Sequence, residues 1–188
     1  MKKLVLAVFA MVIAFGFSSS VSAQDMKSDN PMVGGAAMYK TKDIIDNAVN
    51  SKDHTTLVAA VKAAGLVDTL KGKGPFTVFA PTNAAFDALP AGTVETLLKP
   101  ENKATLTKVL TYHVLAGNYD SKAISKAIKK GNGMATFTTV AGGKLMAKMD
   151  GDALVLTDEK GGMSRVTIAD VRQSNGVIHV VDAVVLPN

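Results

Sequence analysis

Cysteine and tryptophan are both missing from this 188-residue chain, and aromatics are limited to seven Phe and three Tyr. Without cysteine there is no disulfide framework, no thiol nucleophile, no paired-Cys metal site and no lipid-modified cysteine, so the fold must be held by its apolar core. Charge of one sign is scarce too. The formal net charge is +5, and the basic residues are read as alternating with acids, a solubility charge that gives no footprint for nucleic acid. Chemistry-bearing motifs are equally thin: the chain contains no G-x-S-x-G elbow, no H-E-x-x-H and no G-x-x-x-x-G-K-[ST] loop. Asp150-Gly151-Asp152 lacks the further oxygen ligands and the closing Glu of a calcium loop and reads as a turn between strands. His54, His113 and His179 fall in three different kinds of segment. The expectation is a chain with no catalytic residues, no metal ligands and no cofactor.

Long hydrophobic runs number one. Lys2-Lys3, the apolar stretch Leu4 to Phe17 and Val21-Ser22-Ala23 have the build of a secretory signal cleaved after Ala23, since fourteen apolar residues fall short of the roughly 20 a spanning helix needs. Removing 1–23 takes away Lys2 and Lys3, lowers the net charge from +5 to +3 and leaves 165 residues, enough for one domain. The expected localisation is export, to the periplasm or beyond, with no stable membrane insertion after processing. Residues 24–42 lack periodicity and are read as a flexible leader, which leaves 43–188 as the domain.

What is there changes character midway. The first half holds short helical patterns: Asp43 to Val49, a helix from Asp53 or His54 to Ala64 closed by Gly65, Leu66 to Leu70, Thr93 to Leu98, a helix opened by Pro100, and Ser121 to Lys130 with Ile124 and Ile128 inward. From Gly131 onward Met134–Val140, Lys144–Met149, Ala153–Thr157, Ser164–Val171 and Val177–Leu186 are strand-length pieces divided by Gly-rich turns, an antiparallel meander. Helices first and strands later give an α+β fold.

One stretch organises the rest. Phe76-Thr77-Val78-Phe79-Ala80 is an apolar run bounded by Gly74-Pro75 and Pro81, a short buried strand. Thr82 and Asn83 supply capping oxygens, and Ala84 to Leu89 forms a helical turn or two before Pro90. GPFTVFAPTNAAFDALP at Gly74–Pro90 resembles the first signature segment of the fasciclin domain. LTYHVLAG at Leu110–Gly117 resembles its tyrosine-histidine segment, and NGVIHVVDAVVLP at Asn175–Pro187 its second signature segment. The order and spacing are those of the family. The resemblance implies a β-sandwich-like wedge of antiparallel strands flanked by several short helices. It also implies a non-catalytic adhesion or interaction module with a surface protein or polysaccharide as partner. Some members of that family carry carotenoids, which implies as an alternative an apolar small molecule held in a groove between the two signature segments. Thr82, Asn83, Phe86, Tyr112, His113, Ile178 and His179 are the candidate contact residues on that basis.

Two local expectations are sharper. A two-residue turn at Asn175-Gly176 would set Arg172 opposite His179 and Val166 opposite Val185, on a central strand covered on both faces, with Asp182 buried and bonded near Thr82 and Asn83. Tyr112 to Leu115 reads as a brief strand, with His113 inward as a core imidazole donating to a carbonyl and Tyr112 at the rim with its hydroxyl in water.

Overall fold

The β-branched and aromatic run beginning at Phe76 forms β3 (Phe76–Pro81), and the near-continuous apolar run after Gly176 forms β9 (Gly176–Val181). In the computed structural model, which describes residues 30–188, these strands lie side by side in parallel, paired from Phe76–Gly176 to Pro81–Val181. They are interior strands of a seven-stranded sheet. β4 (Val114–Ala116) flanks β3, and β8 (Met163–Gln173), β7 (Ala153–Thr157), β6 (Lys144–Asp150) and β5 (Met134–Thr138) continue beyond β9 as an antiparallel meander. All six residues of β9 are buried, as expected of a strand covered on both faces. The signal stretch 1–23 and residues 24–29 lie outside the described residues.

Alternation of side chains across the two central strands divides the interior in two. Val78, Ala80, Ile178 and Val180 face a layer of short helices: α1 (Ile44–Ala48), α2 (Thr55–Ala64), α3 (Val67–Lys71), α4 (Asn83–Asp87) and α6 (Lys103–Tyr112), with α5 (Thr93–Leu97) beside them. Phe79 and Val181 face the other way, into a core closed by Leu145, Leu154 and Leu156 of the meander and by Ile124 and Ile128 of α7 (Ser121–Lys130). β8 joins the two halves. Its start pairs with β7 and its remainder with β9, and two register shifts between Val166 and Val171 bend it, which lets the sheet wrap into a wedge.

Two expectations are corrected here. The leader reading fails for residues 30–42: β1 (Met32–Val33) pairs with β2 (Ala36–Ala37), and Val33 and Met38 are buried in the helical-side core. Their burial covers a flank of that core, a gain invisible to a periodicity test on four residues. The last hairpin turns at Ser174-Asn175, so that Gln173 opposes Gly176, Arg172 opposes Val177 and Val166 opposes Val181. Asn175, itself in the turn, also bonds to distant segments. Its side chain donates to the carbonyls of Leu70 (2.8 Å) and Gly72 (3.0 Å) and accepts from the Ile44 amide (3.1 Å), while its own carbonyl takes the Phe76 amide (3.0 Å). Gly176 beside it cannot be another residue, because a Cβ there would lie 2.0 Å from the Phe76 carbonyl oxygen. The two signature segments meet directly along the β3–β9 pairing.

Phe79 is fully buried, so Phe79→Ala is expected to cost about 3–5 kcal/mol, against roughly 0.5 kcal/mol or less for Met32→Ala on the surface. Asn175→Ala strands three backbone groups and is expected to cost about 2–4 kcal/mol, with Ser174→Ala near neutral. Urea unfolding of the four variants checks both pairs.

Candidate functional site

The seven candidate residues do not converge on one accessible surface. Thr82 caps α4, its hydroxyl accepting the Ala85 amide at 3.3 Å. Asn83 ties α4 to the start of α2: its Oδ1 accepts from the Thr56 amide (3.0 Å) and the Thr55 hydroxyl (3.2 Å), and its Nδ2 donates to the Lys52 carbonyl (2.8 Å). Phe86 is buried in the helical-side core, as is Ile178, and His179 points to the opposite core. These are roles in holding elements together.

The tyrosine-histidine pair is helical at its first member. Tyr112 is the last residue of α6 and His113 its C-cap, with the strand beginning at Val114. Tyr112 is therefore not at a rim. It is fully buried, donates its hydroxyl proton to the Lys144 carbonyl (2.6 Å) and accepts from the Glu159 amide (3.2 Å). Burial pushes its pKa up to about 12. Gly143 makes room for it, since a Cβ at that position would lie 2.7 Å from the ring. Carrying α6 on to Tyr112, with β4 starting only at Val114, is what turns the ring inward.

His113 is inward as expected. Its Nδ1 donates to the Val109 carbonyl (2.8 Å) and its Nε2 accepts from the Val185 amide (3.2 Å), fastening the C-terminal segment to α6. His179 uses the other tautomer: Nε2 donates to the Tyr119 carbonyl (2.9 Å) and Nδ1 accepts from the Asp170 amide (3.3 Å), with the ring stacked on Phe79 at 5.6 Å. Each imidazole links two segments through backbone groups and has no nitrogen left for a substrate. Burial lowers the pKa of both, His113 to about 4.

Sequence reasoning misassigned the buried carboxylate. Asp182 is exposed and accepts from the Arg165 amide (2.7 Å). The buried one is Asp158, which takes the amides of Lys160 (3.0 Å), Gly162 (2.7 Å) and Leu186 (2.8 Å). The signal was the Asp158-x-x-x-Gly162 turn. No cluster of three or more His, Cys, Asp or Glu side chains suited to a metal exists among the described residues.

The exposed feature that stands out is α7. Its inner face buries Ile124 and Ile128, and Lys122, Lys126, Lys129 and Lys130 all face solvent. Residues 30–188 contain eighteen basic and fourteen acidic side chains, a surplus of four; α7 has four lysines and no acid. The domain's excess charge is thus located on one helix, which corrects the reading of charge spread evenly between signs. Ser121, Lys122, Ser125, Lys126 and Lys129 line an open depression of about 350 Å³ on this face. Asp120, at the helix start, is paired with Arg172 at 2.8 Å.

The histidines make stability pH-dependent with a definite sign. Unfolded, His113 titrates near its ordinary 6.5; folded, burial holds it at about 4. Between those values the unfolded chain binds a proton that the native state refuses, so this contribution is complete above pH 6.5 and is lost as pH falls toward 4, by up to about 3 kcal/mol. His54 and His179, also lowered by burial, act in the same direction. Urea unfolding at pH 7.5, 5.5 and 4.5 should show this loss, and His113→Gln should be less stable at pH 7.5 yet lose less on acidification.

Comparison with known proteins agrees with the architecture. The model of the fasciclin domain matches residues 52–187. Protein sll1483 of Synechocystis is 42% identical over 191 aligned residues, covering 95% of this chain and 97% of that protein. Cell surface glycolipoprotein MPB83 of Mycobacterium bovis is 32% identical, covering 85% of this chain and 68% of its own length. Among solved structures, the fasciclin domain pair from the insect cell adhesion molecule fasciclin I superposes with a TM-score of 0.69 at 16% identity over 77% of this chain, which spans about half (51%) of that pair. On the family match and the sheet topology together, this chain belongs to the fasciclin-domain family.

Proposed function

We propose that the protein is an exported, non-catalytic adhesion or interaction module, and that it meets an acidic surface polysaccharide through the exposed face of α7. The carrying observation is the concentration of the domain's whole charge surplus in the four lysines of that helix. Lys122, Lys126 and Lys129 recur at i, i+4 and i+7, so they lie along one side and span about 10 Å at 1.5 Å per residue. None of the lysines on α7 has an ion-pair partner among the described residues. A row of free cations attracts a chain carrying repeated carboxylates at modest cost in desolvation, and the hydroxyl of Ser125 in the same depression suits the sugar hydroxyls between them.

Export is supported by the basic start, apolar core and small-residue end of residues 1–23, and by a relative whose name places it at the cell surface. The adhesion reading is supported by the naming of the insect structure as a cell adhesion molecule. The non-catalytic reading is supported by the three histidines, each committed to internal contacts or to the interior. No described helix is long and apolar enough to cross a membrane.

The test is retention on an immobilised polyuronate at rising salt, comparing the native protein with the Lys122→Glu, Lys126→Glu, Lys129→Glu triple variant. The variant should bind roughly tenfold more weakly or worse, and the native protein's retention should fall steeply with salt. Its melting temperature should be unchanged, since the lysines are exposed. Equal retention of both proteins, or tighter native binding to duplex DNA than to the polyuronate, overturns the reading.

A further inference from the structure

Between the helical layer and the central sheet lies an apolar cavity of about 80 Å³, to which α1, α2, α3, α6 and the central strands all contribute. Its buried wall includes Leu57, Val61, Leu70, Val171 and Ile178. Val140, 47% exposed, and the half-buried Thr111 bring it to the surface beside the end of α6. Protein interiors seldom leave such space, because unfilled volume forfeits dispersion contacts. At roughly 25–30 Å³ per methylene-sized group it takes on the order of three of them. Water is a poor occupant of so apolar a wall.

One polar atom breaks the lining. His54 is 3% exposed, its Nδ1 shares a 2.8 Å hydrogen bond with the Ser51 hydroxyl, and its Nε2 is the one buried side-chain nitrogen or oxygen without a partner among the described residues. The Ala80 carbonyl is close enough to offset part of the effect of burial on the ring but does not meet hydrogen-bond geometry. His113 also lines the cavity, yet both its nitrogens are bonded. A buried polar atom left unpaired costs free energy that a ligand group can recover. An imidazole held neutral by burial accepts or donates one hydrogen bond and repels no neutral head group.

We infer that this cavity binds a short unbranched aliphatic chain ending in a neutral hydroxyl or carboxylic acid group, with the chain against Leu57, Val61 and Ile178 and the head group bonded to His54 Nε2. The size excludes a long polyene. The wall selects for alkyl groups by area removed from water, about 0.8 kcal/mol for each methylene buried, and the single nitrogen selects for one polar end. No residue of α7 contributes to the cavity, so this site and the proposed polysaccharide face stand or fall separately.

The experiment is titration of the full protein with 1-propanol, followed by methyl NMR of Leu, Ile and Val and by the imidazole nitrogen signals. Expected are saturable shifts confined to the methyls of Leu57, Val61 and Ile178, together with a shift of the His54 Nε2 signal. Val58→Phe, which fills space from the half-buried side of α2, should weaken binding roughly tenfold or more with the native spectrum otherwise kept. His54→Phe should keep weak chain binding but bind 1-propanol no better than a hydrocarbon of equal length. Absence of saturable shifts in the unaltered protein overturns the inference, as do shifts scattered over surface methyls or a Val58→Phe variant that binds as tightly as the parent.

Discussion

The parallel seam between β3 and β9 is the constraint on which the rest of the structure depends. Its first rung leaves no space for a side chain at Gly176, which sits against the Phe76 carbonyl. The residue before it, Asn175, locks the same corner through its side chain to α1 and to the end of α3. Strands joined in parallel need a long crossover, and here the intervening chain, from α4 through β8, supplies helices for one face and a meander for the other. With one seam fixed, the alternation of side chains decides which residue enters which core.

That arrangement explains why the family's recognisable segments are buried. Phe79, Tyr112, His113 and His179 belong to the layer where two cores share a sheet, and polar atoms there are bearable only when bonded. The backbone supplies those bonds: the carbonyls of Val109, Tyr119 and Lys144 accept, and the amides of Val185, Asp170 and Glu159 donate. Residues so committed specify the fold. What remains for recognition is the outside of the wedge, of which α7 is the most strongly charged part, and the cavity under the helices, where His54 is the exception to the bonding rule.

Local pattern was sufficient wherever a single element answered to its own residues. The period of Ile124 and Ile128, the run from Phe76 to Ala80 bounded by prolines, the threonine cap at Thr82 and the strand from Ala153 to Thr157 were all legible because hydrophobic periodicity, capping and turn chemistry act within one stretch of chain. The inward histidine at position 113 was legible for the same reason: an imidazole among apolar neighbours needs an internal carbonyl. The lysines of α7 were missed, because a whole-chain average conceals a ten-residue window with four cations and no acid.

The sequence by itself determined the α+β order of helices and strands, the central two-faced strand and the absence of cysteine chemistry, since each follows from composition or from side-chain period. Only the tertiary structure decided the rest. Asn175 sits in the turn, but its side chain bonds to α1 and the end of α3 because the seam brings their unpaired amide and carbonyls to it. Asp158 and not Asp182 is the buried acid, because the Gly162 turn and the C-terminal segment bring backbone amides to the former. Tyr112 is internal because Gly143, far away in sequence, leaves its ring a place. In each case the partner is a backbone group or a missing side chain at long separation, and neither leaves a mark on local periodicity.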